Sequence, residues 1–399
     1  MMRIWKKYIP VAWWCLCCGI SLLLWIHPCL AQDTAAPVKW KFSLRDSLDH
    51  AIDFSDWILN AGGFVPVPYI ITEPAVGFGG AIVPVFLHKH KQPRLVNRPK
   101  HAVAIPPDIT GALAFYTASK SWGAGAFRTA TIVPWQLRYT VMAAYFDMNL
   151  HYYKTLPRIG EVKYGTSLKM IPLFLRVQKQ IGWQGFSAGA QYIFTKTEAT
   201  LTGHVLPDSL FKPREFDNIS SIAGILAEFD NRDNIFTPNK GYKAHLEANL
   251  SASALGSDFD YTHLNGFAYA YIPFGHSGKW VCGFRADVQQ VFGDIPFYYK
   301  PSIDLRGIPR GRYQGDANIL VETEQRWNMF RRWSAVFFGG TGKAFDDYSD
   351  FGSAKWVYNG GAGIRYLLAR KFKLYMGVDV ARGPEQWGAY IQFGSAWMK

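Results

Sequence analysis

Cysteine is nearly absent from the part of this chain that can fold. Four of the five cysteines, Cys15, Cys17, Cys18 and Cys29, fall in the first 29 residues, and only Cys282 lies beyond them. That excludes an intramolecular disulfide and a cysteine metal cluster in the mature protein. Long apolar runs are also missing after residue 31: nothing reaches the eighteen residues that a membrane-spanning helix needs. Acid is scarce as well, with 30 Asp and Glu against 43 Lys and Arg, a formal charge of +13. Several catalytic signatures are lacking: there is no G-x-S-x-G elbow, no H-E-x-x-H and no phosphate loop, and "VGFGGA" has no helix after it to bind a dinucleotide. These absences argue against an enzyme, although a barrel-embedded lipase or acyltransferase could assemble its site from distant strands.

The first 31 residues explain most of the cysteine. Arg3, Lys6 and Lys7 precede an apolar run, and Cys29-Leu30-Ala31 offers small residues for a peptidase. The pattern predicts a secretory signal peptide over 1–31, cut after Ala31. Its loss still leaves a net charge of about +10. Outside the cytoplasm the anionic partners are lipid head groups, lipopolysaccharide and cell-wall polymers rather than nucleic acid. No cofactor is implied.

What is abundant is aromatic: 16% of residues, beside 37 glycines and a mean hydropathy of −0.05. An outer-membrane β-barrel has this composition, because only alternate strand residues face lipid. Periodicity supports it. In "YKAHLEANL", Tyr242, Ala244, Leu246, Ala248 and Leu250 alternate with Lys243, His245, Glu247 and Asn249. "KFKLYMGVDVA" (371–381) repeats the pattern, and so does the last segment, where Trp387, Ala389, Ile391, Phe393 and Trp397 share a parity. Period-two alternation means strands with unlike faces. Sixteen such segments can be marked: 66–72, 75–88, 109–119, 122–132, 136–150, 166–180, 184–197, 218–230, 240–252, 259–272, 279–292, 316–328, 332–345, 356–368, 371–382 and 386–397. An even number suits a closed antiparallel transmembrane barrel, here predicted over 65–399. Short turns alternate with longer connections at 151–165, 198–217, 293–315 and 346–355, and 89–108 breaks that rhythm. Residues 32–64 form an N-terminal periplasmic segment. Within it Leu44, Leu48, Ala51, Ile52, Ser55, Ile58 and Leu59 sit at helical spacing, with Gly62 as a stop, predicting a short amphipathic helix. The basic run 88–101 carries no acid and reads as a solvated loop able to touch phospholipid head groups or peptidoglycan. His88 and His90 are weak metal candidates within it.

Several pieces together resemble the outer-membrane protein-assembly superfamily, the bacterial surface antigens, which includes barrel-assembly and translocation-assembly insertases and two-partner secretion pores. "DNRDNIFTPNKGY" (Asp230 to Tyr242) resembles that family's turn between strands eight and nine. "LRG" at Leu305–Gly307 is similar to its sixth-loop signature, and "FFGGTGKAF" (Phe337 to Phe345) to its strand thirteen. "FSDWILNAGGFVPVPYIITEPAVGFGG" looks like the opening of short members. The chain departs from the pattern at Ile308, where an aromatic is usual, and at Gly340, where an aspartate often stands. The thirty-odd residues before the barrel cannot hold a polypeptide-transport-associated domain.

The resemblance implies that the loop "DLRGIPRGRYQGD" (304–316), between strands eleven and twelve, folds back into the lumen. Leu305, Arg306, Gly307, Arg310, Arg312 and Tyr313 are its candidate lid residues. On strand twelve Ile319, Val321 and Trp327 take the lipid parity, while Asn318, Glu322, Glu324 and Arg326 take the other. Glu322 or Glu324 is thus the expected receiver of Arg306, a bidentate guanidinium–carboxylate pair. The alternative is a solvated basic loop touching lipopolysaccharide.

The first strand, "FVPVPYIITEP", carries Pro66 and Pro68 at one parity, and proline cannot donate to a ladder. Together with Gly388 and Gly394 on the last strand they mark a candidate weak seam, the lateral gate of insertase relatives. A proline-marked strand start is the plain alternative. The function expected is assistance to insertion, translocation or transfer of protein or lipid at the outer membrane. A periplasmic or outer-membrane partner protein is a further candidate. The competing reading is a passive pore for small, preferentially anionic solutes.

Overall fold

The computed structural model describes residues 43–60, 64–73, 75–88, 108–156, 160–181, 185–202, 213–275 and 278–397. The predicted signal peptide with its four cysteines, and all of the basic run except His88, lie outside them.

Sixteen strands form one sheet in which each neighbour in space is the neighbour in sequence, β1 to β16, all antiparallel. They are β1 (Phe64–Ile71), β2 (Gly79–His88), β3 (Asp108–Thr117), β4 (Trp122–Ile132), β5 (Leu137–Leu156), β6 (Gly160–Gln180), β7 (Phe186–Thr202) and β8 (Asp217–Asp230). Then follow β9 (Gly241–Ser251), β10 (Tyr261–Phe274), β11 (Trp280–Gly293), β12 (Ala317–Phe330), β13 (Trp333–Phe345), β14 (Val357–Ala369), β15 (Leu374–Arg382) and β16 (Trp387–Phe393). The result is a nearly closed transmembrane barrel.

Alternation decides the faces. On β12, Val321 and Trp327 are 51% and 43% exposed to the membrane side, while Asn318, Glu322, Glu324 and Arg326 are buried inside. On β9, Tyr242, Leu246 and Leu250 face out, and Lys243, His245 and Asn249 are buried in the lumen. Greasy outer side chains therefore meet lipid, and the polar ones find each other within.

The wall is uneven. At roughly 3.3 Å per residue, the 21 residues of β6 run about 70 Å and the seven of β16 about 23 Å. With a usual tilt near 40°, β16 spans only about 18 Å of height, less than the ~25 Å apolar band of such barrels. The length of β5 and β6 corrects the sequence reading, which ended them at a long loop over 151–165: their ladder continues from Leu150↔Thr166 to Leu156↔Gly160. What rewards the extension is burial. Tyr152 and Tyr164 fold inward with Leu168 and Ala199 onto Phe297 and Tyr298 of the β11–β12 connection.

The N-terminal helix is also shorter than its periodicity suggested. Within the described residues 43–60, only α1 (Ser55–Asn60) is helical. Before it, an isolated bridge joins Arg45 to Ile52. Three aspartates cause this by accepting hydrogen bonds two residues ahead: Asp46 from Leu48 N–H, Asp49 from Ala51 and Asp53 from Ser55. Such local turns compete with helix formation.

A third correction concerns the C-terminus. Strand β16 stops at Phe393, Gly394 takes φ +74°, and Trp397 is buried in the lumen against Tyr269 and Tyr271 instead of facing lipid. Its Nε1–H donates to Glu322 at 2.7 Å.

Candidate functional site

The β11–β12 connection lies inside the barrel. Ile303, Leu305 and Ile308 are buried with Leu320 of β12 and Val357 of β14. The Ile303 N–H reaches the Tyr313 carbonyl, and Ser302 bridges Gln314, so the segment 304–313 is a closed excursion. Gly307 (φ +86°) sits at its innermost turn, where a Cβ would stand 2.7 Å from the Gly383 nitrogen. Only glycine satisfies both the left-handed backbone and the approach to the β15–β16 loop.

Arg306 projects from this turn into a ring of three carboxylates. Its Nη2 donates to Glu322 at 2.8 Å, its Nη1 to Asp379 of β15 at 2.8 Å, and Glu324 lies 2.9 Å from Nη1. The guanidinium carbon stands 3.4 Å from the centre of the Phe338 ring. The neighbouring backbone is held too: the Asn359 amide donates to the Arg306 carbonyl and the Gly307 N–H to the Tyr390 hydroxyl. Asp379 receives a second, bidentate arginine, Arg365, and Glu322 also faces Arg285 at 3.4 Å. Both acids proposed from parity, Glu322 and Glu324, thus lie within ion-pair distance. Gly340 stands opposite Glu322 in the β12–β13 ladder, and Asp379 supplies a carboxylate from another strand.

The other two loop arginines differ. Arg312 bonds Glu385 of the β15–β16 loop at 2.9 Å, stacks on Tyr153, and is joined there by the Tyr313 hydroxyl, 2.9 Å from the same carboxylate. The Arg312 hydrogen bond holds Glu385 below the usual carboxylate range, so this tie persists at neutral pH. The Arg310 side chain is 69% exposed, with Asp304 at 3.7 Å.

At the other side of these contacts runs the seam. The sheet begins at β1 and ends at β16 without a ladder joining them. The register shows which way the prolines point. Pro66 is directly opposite Pro84 of β2, and neither has an N–H, so this can only be a non-hydrogen-bonded pair. By alternation Phe64, Pro66, Pro68 and Ile70 then direct their nitrogens away from β2, toward β16. Two of the four β1 donors that would face β16 are therefore missing. Pro84 leaves the same mark on its outer side, where the β2–β3 ladder skips from Ile82 to Val85. Tyr69 and Phe393 touch across the gap at 6.1 Å between ring centres. Gly388 faces the Tyr390 hydroxyl, and Gly394 makes the inward turn described above.

At the opposite end, the short-turn end, Arg332 is enclosed by the N-terminal aspartates: Asp46 and Asp49 at 2.6 Å and Asp53 at 2.7 Å. Arg370 bonds Asp46 as well, the Phe54 N–H reaches the Leu368 carbonyl, and Tyr366 donates to the Ile52 carbonyl. Hydrogen bonding to Arg332 lowers Asp49 to about 2, and the Leu48 N–H with Arg370 lowers Asp46. Depressed carboxylates stabilise the attachment above their unfolded pKa near 4 and cease to do so as pH falls through the folded values. Residues 43–60 are expected to stay protected from proteolysis at pH 7 and to be released between about pH 4 and pH 2. Arg332→Ala should release them at pH 7; continued protection in that variant would contradict this account.

Parity alone did not identify the partners of the loop on other elements. Asp379 could have been found, since it shares the non-lipid parity of β15. Tyr390 and Asn359 could not, because their hydrogen bonds depend on the depth of the loop in the lumen. Trp397 was placed on the wrong face by extrapolating an alternation past Gly394.

Comparison with known proteins agrees with this architecture. Residues 140–307 match the Omp85 superfamily domain. Among solved structures, BamA from Haemophilus ducreyi lacking POTRA domains 1-3 superposes with a TM-score of 0.58 at 12% identity, over 84% of this chain and 70% of that one. CdiB from Escherichia coli gives 0.59 at 9% identity, over 82% and 61%, and CdiB from Acinetobacter baumannii 0.51 at 11%, over 83% and 59%. The chain thus spans about three fifths of either CdiB. A sequence search of curated proteins finds no match. These findings define a sixteen-stranded antiparallel β-barrel of the fold seen in BamA and CdiB, with residues 140–307 similar to the Omp85 superfamily domain.

Proposed function

We propose that this barrel assists insertion, translocation or transfer of protein or lipid at the outer membrane, working through the β1–β16 seam while the 304–313 loop closes its lumen to solutes. In this reading the chain is exported by a leader cut after Ala31. It handles clients without catalysing a covalent reaction, and it meets lipopolysaccharide and a periplasmic or outer-membrane partner. The observation that carries the reading is the pairing of a loop fastened inside the lumen with an unladdered seam. Strand edges at bilayer depth have no water to satisfy them, and each unpaired group costs several kcal/mol. Such edges favour a client strand or a polar lipid portion that supplies the missing partners. The fastened loop meanwhile removes the direct path that a pore would use.

Planar-bilayer recording tests the proposal. Wild-type protein is expected to give small, unsteady conductance, and deletion of 305–313 a severalfold larger and steadier one. Large, steady openings in the wild type would overturn the reading in favour of a pore for anions.

A further inference from the structure

The lumen has two unlike halves. From β9 to β15 its wall is charged, carrying Lys243, His245, Arg285, Asp287, Glu322 and Asp379 among its buried side chains. From β2 to β5 the inner parity is mostly apolar. Ile82 and Phe86 of β2 and Tyr116 of β3 are exposed to the membrane side, so Val83, Leu113 and Phe115 point inward. On β5 the inner residues include Phe146, which packs on Phe115, followed by Met148 and Leu150. Around Val83, Leu113, Phe115 and Phe146 this sector is therefore apolar on both faces, whereas Thr129 and Thr140, also of the inner parity, hydrogen-bond to each other. A wall of that kind is ordinary for lipid outside and costly against water inside.

A cavity of about 510 Å³ lies on this inner wall, bounded by Leu113, Phe115, Met148 and Leu150 on one side and by Arg310 and Gln314 of the loop on the other. The volume is that of a site for a small molecule or one part of a lipid. Tyr69 and Ile71 of β1 also line it, and Tyr69 is the residue that touches Phe393 across the seam, so the cavity borders the unladdered seam. Its charged groups are Arg310, Lys300 and Glu73. Lys300 is engaged by Asp316 at 2.8 Å and Asp346 at 3.0 Å, whereas Arg310 has the long contact to Asp304 and the electrostatic influence of Glu73 but no closer ion pair among the described residues. Burial pushes the Glu73 carboxyl up, and its Oε1 is buried without a hydrogen-bond partner.

We propose that this inner wall is an acyl-chain site: a lipid with an anionic head group enters from the bilayer at the seam, lays a chain along β2–β5, and sets its head group against Arg310. The inference rests on the seam reading above and names a lipid as the client class. Continuity with the bilayer selects the chain, and the underused guanidinium selects the sign of the head group.

Fluorescence quenching tests it. In a Cys282→Ser background, bimane is placed at Leu113→Cys on the inner apolar wall, at Tyr116→Cys on the lipid face, and at Asn265→Cys in the polar half. The folded, heat-modifiable form is reconstituted in phosphatidylcholine vesicles containing phosphatidylglycerol, with brominated chains on one lipid or the other. Brominated phosphatidylglycerol is expected to quench position 113 nearly as strongly as 116 and to leave 265 unchanged. Brominated phosphatidylcholine should quench 113 severalfold less. Arg310→Ala should abolish that difference at 113 without affecting 116. A bifunctional thiol crosslink between Tyr69→Cys and Phe393→Cys should slow quenching at 113. Absence of quenching at 113 by either lipid would overturn the proposal, and equal quenching by both would overturn the anionic selection. Low wild-type conductance with an unquenched position 113 would remove the lipid inference while leaving the seam reading intact.

Discussion

Arg306→Ala is expected to be the most damaging single substitution in the lumen, destabilising the folded barrel by about 3–5 kcal/mol, the usual cost of removing one partner from a buried ionic cluster. The loss falls unevenly. Asp379 keeps both oxygens on Arg365, and Glu322 keeps Arg285 and the Trp397 N–H. Glu324 has no other ion pair among the described residues and only the more distant charge of Arg326, so it becomes the least compensated buried charge. It follows that Arg306→Ala combined with Glu324→Gln should be more stable than Arg306→Ala alone, a non-additivity that a double-mutant cycle resolves. Arg306→Lys should fall between wild type and alanine, because an ammonium keeps the charge but not the planar fork that reaches Glu322 and Asp379 together. The readouts are the temperature at which the folded form disappears on gels and single-channel conductance, which should rise severalfold as the loop leaves the lumen. An Arg306→Ala protein with unchanged melting and conductance would mean that the loop is held by Leu305, Ile308 and its backbone contacts alone.

The sequence was legible where one rule acted along a whole segment. Strands such as β9 and β12 obey period-two alternation because water and lipid act on opposite faces, and so the assignment of Val321 and Trp327 to lipid could be read directly. Legibility failed where the environment changes within a segment. The alternation is not clear over 151–156 and 160–165 in the sequence; what extends β5 and β6 there is the packing of Tyr152 and Tyr164 on Phe297, a contact from another part of the chain. The apolar spacing of 44–59 was real, but Asp46, Asp49 and Asp53 are committed to Arg332 and to their own turns, which periodicity cannot register. The loop arginine was legible as a motif, and its two acids on β12 as a parity. The contributions of Asp379, Tyr390 and Glu385 needed the barrel closed around them.

The seam invites the opposite experiment, one that adds interactions instead of removing them. Pro66 and Pro68 direct two absent donors toward β16, and valine at both positions would restore the N–H groups while keeping a β-compatible, lipid-tolerant side chain on the same face. If those amides find carbonyls of β16, each net hydrogen bond contributes about 0.5–1.5 kcal/mol by the measure used in water and more at bilayer depth, where the alternative is an unsatisfied group. The Pro66→Val, Pro68→Val protein is therefore expected to unfold at a higher temperature than wild type. Hydrogen exchange of the β16 amides, fast in wild type, should slow by at least an order of magnitude, while exchange in β8–β13 stays unchanged. The same variant should lose quenching at position 113 if lipid enters there, since a continuous ladder shuts the route. Raised stability with undiminished access would place the opening elsewhere in the wall, and unchanged exchange in β16 would mean that the gap is held apart by the shortness of β1 and β16 and not by their missing donors.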